Sequence, residues 1–270
     1  MPSKDGFQFQ DRDAELVHLV HQLGVATVEH MAQHVERSYH LVYKRVAKLE
    51  DHRYLSRVTK QPEKGIWQLG PEGVAVLIER GLAPETIARH RLRANELKPL
   101  GRAHSLLIAD IHAKLLGESK RRLEKIALWR QGQDTWDEAT WTEVDGTRRR
   151  LPVRPDAYFV IEHTGRPEGK NRMHFFLEAD RSNMDVNERM SAKIKAYRAY
   201  HEENRFQKKY PGMQSFRVIV VTETRRRAES LRTRLEYLLP TANLQRAYRF
   251  LSIEDLGLDA LLGAVEKGPT

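Results

Sequence analysis

LPVRPDAYFVI (residues 151–161), MHFFLEAD (173–180) and SAKIKAYRAY (191–200) decide the fold of this 270-residue chain. The first two runs are rich in β-branched and aromatic residues and read as strands, while the third has helical spacing. Asp156 opens the first strand, and Glu178 and Asp180 end the second. In a half-buried sheet these are expensive positions for negative charge, since buried carboxylates are usually paired or coordinate a metal. The two-residue period of a strand puts Glu178 and Asp180 on one face and turns Ala179 to the other. Lys193 and Tyr197 stand one helical turn apart on one face of the following helix, with Lys195 as a second nearby lysine.

Around this centre the chain reads as an α/β domain. A helix carries Leu107, Ile111 and Leu115, and a strand spans 125–130. A tryptophan-containing stretch then holds Asp145–Gly146, a strong hairpin signal. The helix after the second acidic strand runs from about 186 to 204. FRVIVVTET (216–224) has the apolar density of a central strand covered on both faces. A helix (227–239), a last strand (248–253) and a short helix (256–262) follow. Hairpins first, then strands alternating with helices, indicate a mixed sheet covered by helices.

Upstream, Leu16, Val17, Leu19, Val20 and Leu23 form the inner face of one helix, ended by Gly24. Thr27 can cap a second helix, and Ser38 a third whose inner stripe is Val42, Val46 and Leu49. Strand-like runs at 55–58 and 66–69 flank the turn-forming QPEKG, and Pro71 opens a further helix. This order is that of a winged helix-turn-helix. Its third helix is the one that enters a major groove, presenting Arg37, Tyr39, His40, Tyr43, Lys44 and Arg45, with Arg57, Lys60 and Lys64 on the wing. The division expected is 1–81 for the winged helix, 82–103 for a basic helical linker, and 104–270 for the α/β domain.

A net charge of +9 favours a polyanionic partner. The absence of cysteine excludes disulfides, thiolate zinc sites and cysteine nucleophiles. There is neither an apolar run of about 20 residues nor a signal-peptide core, so a cytoplasmic protein without membrane contact is expected.

The order of helix, hairpin, Pro155–Asp156 strand, Glu178–Ala179–Asp180 strand and following helix resembles the PD-(D/E)XK fold of restriction endonucleases. That resemblance implies Asp156, Glu178 and Asp180 as ligands of Mg²⁺ or Mn²⁺. The motif's usual lysine is replaced here by Asp180. Lys193 is the first candidate for its role and Lys195 the second, because Lys193-x-x-x-Tyr197 stands where related nucleases carry Gln-x-x-x-Tyr. His104 and Asp110 are further candidates for the same site. The whole arrangement, with PDAYFVI, FFLEADRS and KIKAYRAYH, resembles the plasmid replication-relaxation family, which is similar to MobC-type relaxases.

Membership would imply a mobile-element protein that binds double-stranded DNA at an origin and either nicks one strand or helps assemble a relaxosome. Catalytic residues would be Asp156, Glu178 and Lys193. Other mobilisation or replication proteins are compatible partners, as is a homodimer. The rival reading is a degenerate clamp or regulator, in which Glu178 pairs with Arg154 or Arg181. A scaffold that binds no DNA ranks last. Tyr197, Tyr200 and Tyr210 are weighed as nucleophiles and set aside, because the histidine cluster of tyrosine relaxases is absent.

Overall fold

A computed structural model describes residues 6–58, 65–84, 99–181 and 186–263. Lys60, Lys64 and residues 85–98 of the expected linker lie outside the described residues. The chain divides into two compact units, Met1–Ala113 and Lys114–Thr270. No described helix is long and apolar enough to cross a membrane.

In the first unit, α1 (Asp11–Leu23), α2 (Val28–Val35) and α3 (Tyr39–Asp51) precede the antiparallel pair β1 (Leu55–Arg57) and β2 (Trp67–Leu69), then α4 (Pro71–Glu79). This is the winged helix-turn-helix order. The ends form for local reasons. Gly24 stops α1 at φ 77°, a conformation that costs glycine little. Thr27 caps α2 by accepting the His30 N–H. Ser38 begins α3 with the right backbone, but its side chain makes no cap hydrogen bond. Leu16, Val20, Met31, Val46, Leu49 and Trp67 are completely or almost completely buried, so the helical stripes of all three helices meet the wing in one core. Ala26 adds an isolated antiparallel bridge to Trp67, tying the turn after α1 to the wing.

Arg45 corrects the outward reading of α3. Its guanidinium is bidentate on buried Asp13, bonds the Gln8 carbonyl at 2.7 Å and lies 4.6 Å over the Phe7 ring. Sequence spacing missed this because Arg45 lies beside the buried stripe, and Asp13 is far away in sequence. Arg45→Ala removes charge-assisted bonds to a buried carboxylate and should lower the unit's stability by about 2 kcal/mol. An unchanged urea midpoint would contradict that structural role.

The helix α5 (Pro99–Ser119) contains the division between the units. Within the first unit its Asp110 accepts from His30 Nε2 at 2.7 Å. The Thr27 N–H donates to His30 Nδ1, which assigns the ring proton to Nε2. Burial lowers the nearby His112 imidazole to about 4, reinforced by the charges of His34 and His30. The unfolded chain takes up this proton near 6.5 and the folded one only near 4. Stability from neutral His112 is therefore present above the upper value and lost as pH falls through the window. Urea midpoints should drop more steeply there for the wild type than for His112→Gln; parallel curves would refute it.

The second unit holds a five-stranded sheet in the order β3-β6-β7-β8-β9. Its strands are β3 (Glu124–Arg130), β6 (Ala157–His163), β7 (Arg172–Asp180), β8 (Arg217–Thr222) and β9 (Tyr248–Ser252). The β3–β6 and β6–β7 pairs are antiparallel, whereas β7–β8 and β8–β9 are parallel. A separate antiparallel hairpin pairs β4 (Asp137–Thr142) with β5 (Arg148–Val153) around Asp145–Gly146. The strand β8 is buried throughout Val218–Thr222, as its composition indicates, but the middle position belongs to β7.

Helix α6 (Ser191–Glu202) covers one face with α8 (Arg225–Leu235); α7 (Phe206–Lys209), α9 (Ala242–Ala247) and α10 (Leu258–Leu262) are short. A π-helical turn, Val186–Met190, precedes α6, so the regular helix starts later than its spacing suggests. Tyr158, Phe176, Val218 and Val220 from the sheet pack with Ile194, Tyr197 and Tyr200 of α6 and Leu231 and Leu235 of α8. On the opposite face Trp129, Phe159 and Phe175 stack in sequence, with ring centroids 5.2 and 4.9 Å apart. These two cores fix where β6 begins and β7 ends.

Candidate functional site

The register Ala157↔Leu177 brings Asp156, one residue before β6, beside Glu178 on β7. Two bonds hold that alignment. The Asp156 N–H donates to the Leu177 carbonyl at 2.9 Å, and Asp156 Oδ2 accepts the Ala179 N–H at 2.8 Å. Glu178 is 1% exposed, so its charge needs partners. The Tyr197 hydroxyl donates to Oε1 at 2.6 Å and the Lys193 ammonium to Oε2. One helical turn of α6 thus supplies both partners.

Burial pushes the Glu178 carboxyl up to about 7; Lys193 opposes the shift and the charge of Asp156 reinforces it. For Lys193 burial pulls downward, but Glu178, Asp156 and Asp180 together hold the ammonium above its ordinary value. Burial, then the charge of Glu178 and its hydrogen bond, raise Tyr197 well above a free phenol. At neutral pH the cluster therefore contains a charged lysine, a neutral tyrosine and a Glu178 carboxyl near its titration midpoint, at the carboxyl end of a parallel strand. Open α/β sheets commonly bind ligands outside such strand ends.

Asp180 departs from the expected ligand set. It is fully buried, and Arg227 of α8 donates to Oδ2 at 2.7 Å and to Oδ1 at 3.4 Å. Its charge is therefore committed to an ion pair, while Asp156 and Glu178 remain the adjacent pair. Arg227 escaped the sequence reading, although a signal exists. Thr224 caps α8 by accepting the Arg227 N–H, so RRR at the helix start follows β8 directly, beside the end of β7. Among the described residues no group of three or more His, Cys, Asp or Glu side chains is arranged to hold a metal ion. The available donor set is a pair of hard carboxylates.

Other candidates lie elsewhere. Lys195 binds Glu143 at 3.2 Å and sits 5.4 Å from the Trp141 ring, facing the hairpin rather than Glu178. Asp110 is held by His30 in the first unit, where His104 shares its helix. Arg181 bonds Glu223 and Arg154 lies over Trp136, so neither is the salt-bridge partner of Glu178. Tyr200 donates to Asp137 at 2.8 Å and Tyr210 to the Thr135 carbonyl at 3.4 Å. All three weighed tyrosines are buried, as core aromatics are.

In the first unit, Arg37, Tyr39, His40, Tyr43 and Lys44 are exposed at the start and outer face of α3. Tyr39 and Tyr43 stack at 6.1 Å between centroids. Leu41 and Lys48, absent from the expected set, are exposed as well. On the wing, Arg57 lies over the Trp67 ring at 4.9 Å and pairs with Glu50 at 3.7 Å.

These features define a class of α/β protein in which a winged helix-turn-helix unit precedes a mixed five-stranded sheet with a carboxylate–lysine–tyrosine cluster at its end. The chain belongs to the replication-relaxation family, whose profile matches residues 17–215. No curated protein and no solved structure matches it. The matched span includes Asp156, Glu178, Lys193 and Tyr197 but stops before Arg227. Membership associates the chain with mobile-element replication or relaxation.

Proposed function

We propose that this protein binds double-stranded DNA at an origin through α3 and cleaves one strand at the Asp156–Glu178 pair, as a relaxase-like nickase. The observation that carries this reading is the convergence of Asp156, Glu178, Lys193 and Tyr197 where β6 begins and β7 ends. Family membership supports the setting, and the sequence resemblance to PD-(D/E)XK nucleases and MobC-type relaxases is the ground for the reaction class.

The donor set fits Mg²⁺ or Mn²⁺. Such ions take hard oxygen ligands, and Mg²⁺ commonly uses one or two carboxylates with water and phosphate completing the shell. When bound, the ion supplies Lewis-acid polarisation of the phosphate and activation of water. Asp156 and Glu178 would hold it. Lys193, a charged group whose side chain is 27% exposed, stabilises negative charge developing on the phosphate oxygens. Tyr197 fixes the orientation of Glu178 through its hydroxyl. In this reading the protein acts in the cytoplasm, with other mobilisation or replication proteins as partners.

The test is supercoiled plasmid carrying the cognate origin, incubated with Mg²⁺ or Mn²⁺. Open-circular product that disappears on chelation is expected; equal nicking in the presence of chelator would rule out the metal-dependent reaction. On the DNA-binding side, Arg37→Ala with Lys44→Ala should make the salt dependence of log affinity shallower by about 2, roughly 1 for each lost phosphate contact. Wild-type slope in that variant would remove α3 from the interface.

One observation favours a second reading. Both Glu178 oxygens already accept bonds from within the chain. A binder that keeps these residues only for structure accounts for that, and predicts no carboxylate-dependent heat when metal is titrated by calorimetry.

A further inference from the structure

The strand β5 begins Arg148, Arg149, Arg150, all exposed, and ends at Val153, from which the chain passes through Arg154 and Pro155 to Asp156. Pairing with β4 sorts these arginines by face. The partners Thr142↔Arg148 and Thr140↔Arg150 share one face, while Trp141↔Arg149, Ala139↔Leu151 and Asp137↔Val153 share the other. Ala139 and Val153 are buried in the core that includes Ile194 and Tyr197 of α6, with Leu151 and Trp141 packed against it. Trp141 also lies beneath Lys195 and Arg198, 5.4 and 5.2 Å from the ring. The face bearing Arg148 and Arg150 is consequently the outer one, on a hairpin anchored to the helix that carries Lys193.

Its chemistry is that of a phosphate reader. Guanidinium and hydroxyl groups alternate across the two strands, and both types donate to phosphate oxygens. Arg148 makes no ion pair among the described residues. Arg150 approaches Glu138 at 3.6 Å, but it is 80% exposed and Glu138 also serves Arg205. An exposed pair of that kind is easily exchanged for a phosphate. Trp141 is covered and the outer face has no aromatic side chain on which bases could stack, so contacts there would carry little base information.

We propose that the outer face of the β4–β5 hairpin is a sequence-independent grip on the DNA backbone, supplying phosphate contacts beside the acidic cluster. Arg150 precedes Asp156 by six residues, at most roughly 20 Å of extended chain. At ~3.4 Å per nucleotide of one strand, the grip falls within about six nucleotides of the scissile bond. This rests on the nickase reading for its ligand but concerns residues outside the acidic cluster.

The experiment uses the full chain with Arg148→Gln/Arg150→Gln, probed by a labelled duplex of scrambled sequence across a salt series. The expected slope of log affinity is shallower than wild type by about 2, with affinity at low salt about tenfold weaker. Arg148→Lys/Arg150→Lys should restore most of the slope, since lysine keeps the charge. Wild-type affinity and slope in the glutamine variant would overturn the proposal. So would loss of binding to phosphatidylserine vesicles with DNA binding untouched, which would assign the face to a lipid surface. Nicking by wild-type protein on the origin plasmid is read in parallel. Its absence with the hairpin effect intact counts against the nickase alone, and its presence without that effect counts against the grip alone.

Discussion

Glu178→Gln should lower metal-dependent nicking of supercoiled plasmid at least a hundredfold, about 2.7 kcal/mol of transition-state stabilisation. Glutamine keeps the shape of glutamate and can still accept from Tyr197, but it removes the negative charge on which Lys193 and a bound cation depend. Asp156→Asn should have a comparable effect while leaving an oxygen that can accept the Ala179 N–H. The control is metal titration by calorimetry, in which both variants should lose the carboxylate-dependent heat seen with wild type. Nicking at wild-type rates in either variant would move the chemistry away from this pair. Lys193→Met separates roles further. It should leave metal binding measurable while slowing cleavage, because Lys193 contributes charge rather than a ligand atom.

Arg227→Ala should destabilise the second unit by about 3–5 kcal/mol, the range for removing one partner of a buried ion pair. Asp180 is fully buried, and the Arg227 side chain is only 16% exposed, so solvent cannot replace the lost guanidinium. The double variant Asp180→Asn/Arg227→Met should recover most of that loss, since no uncompensated charge remains. Urea unfolding of the full chain measures both. A single-variant loss below about 1 kcal/mol would mean that Asp180 finds another partner or that the pair is largely solvated. If Asp180 were instead a required metal ligand, the double variant would be stable yet fail to bind metal. If it is a structural anion, metal binding survives. That comparison decides between the family-derived ligand set and the geometry of the ion pair.

Most elements were legible because they are written in local periodicity and local chemistry. The stripe Leu16–Val17–Val20–Leu23, the Gly24 stop, the Thr27 cap and the Asp145–Gly146 turn each act over a few residues. The errors fall where the deciding contact is distant. Arg45 looked outward until Asp13 and Phe7 came to meet it. Lys195 stood as the second candidate after Lys193, but two residues on a helix differ by about 200° in direction, and the hairpin carrying Glu143 claimed it. The delayed start of α6 follows a π turn that no spacing rule over this stretch reveals.

The sequence by itself determined two acidic strands followed by a Lys-x-x-x-Tyr helix, the winged-helix order ahead of them, and a basic chain without cysteine. These are properties of composition and short-range pattern. Only the tertiary structure decided which charges face one another. Pairing β6 with β7 in the register Ala157↔Leu177 sets Asp156 beside Glu178, and the parallel β7–β8 pair followed by α8 delivers Arg227 to Asp180. Charge partnership in a buried site depends on distances of a few ångströms between residues 15 to 47 positions apart in the chain, and strand register sets those distances.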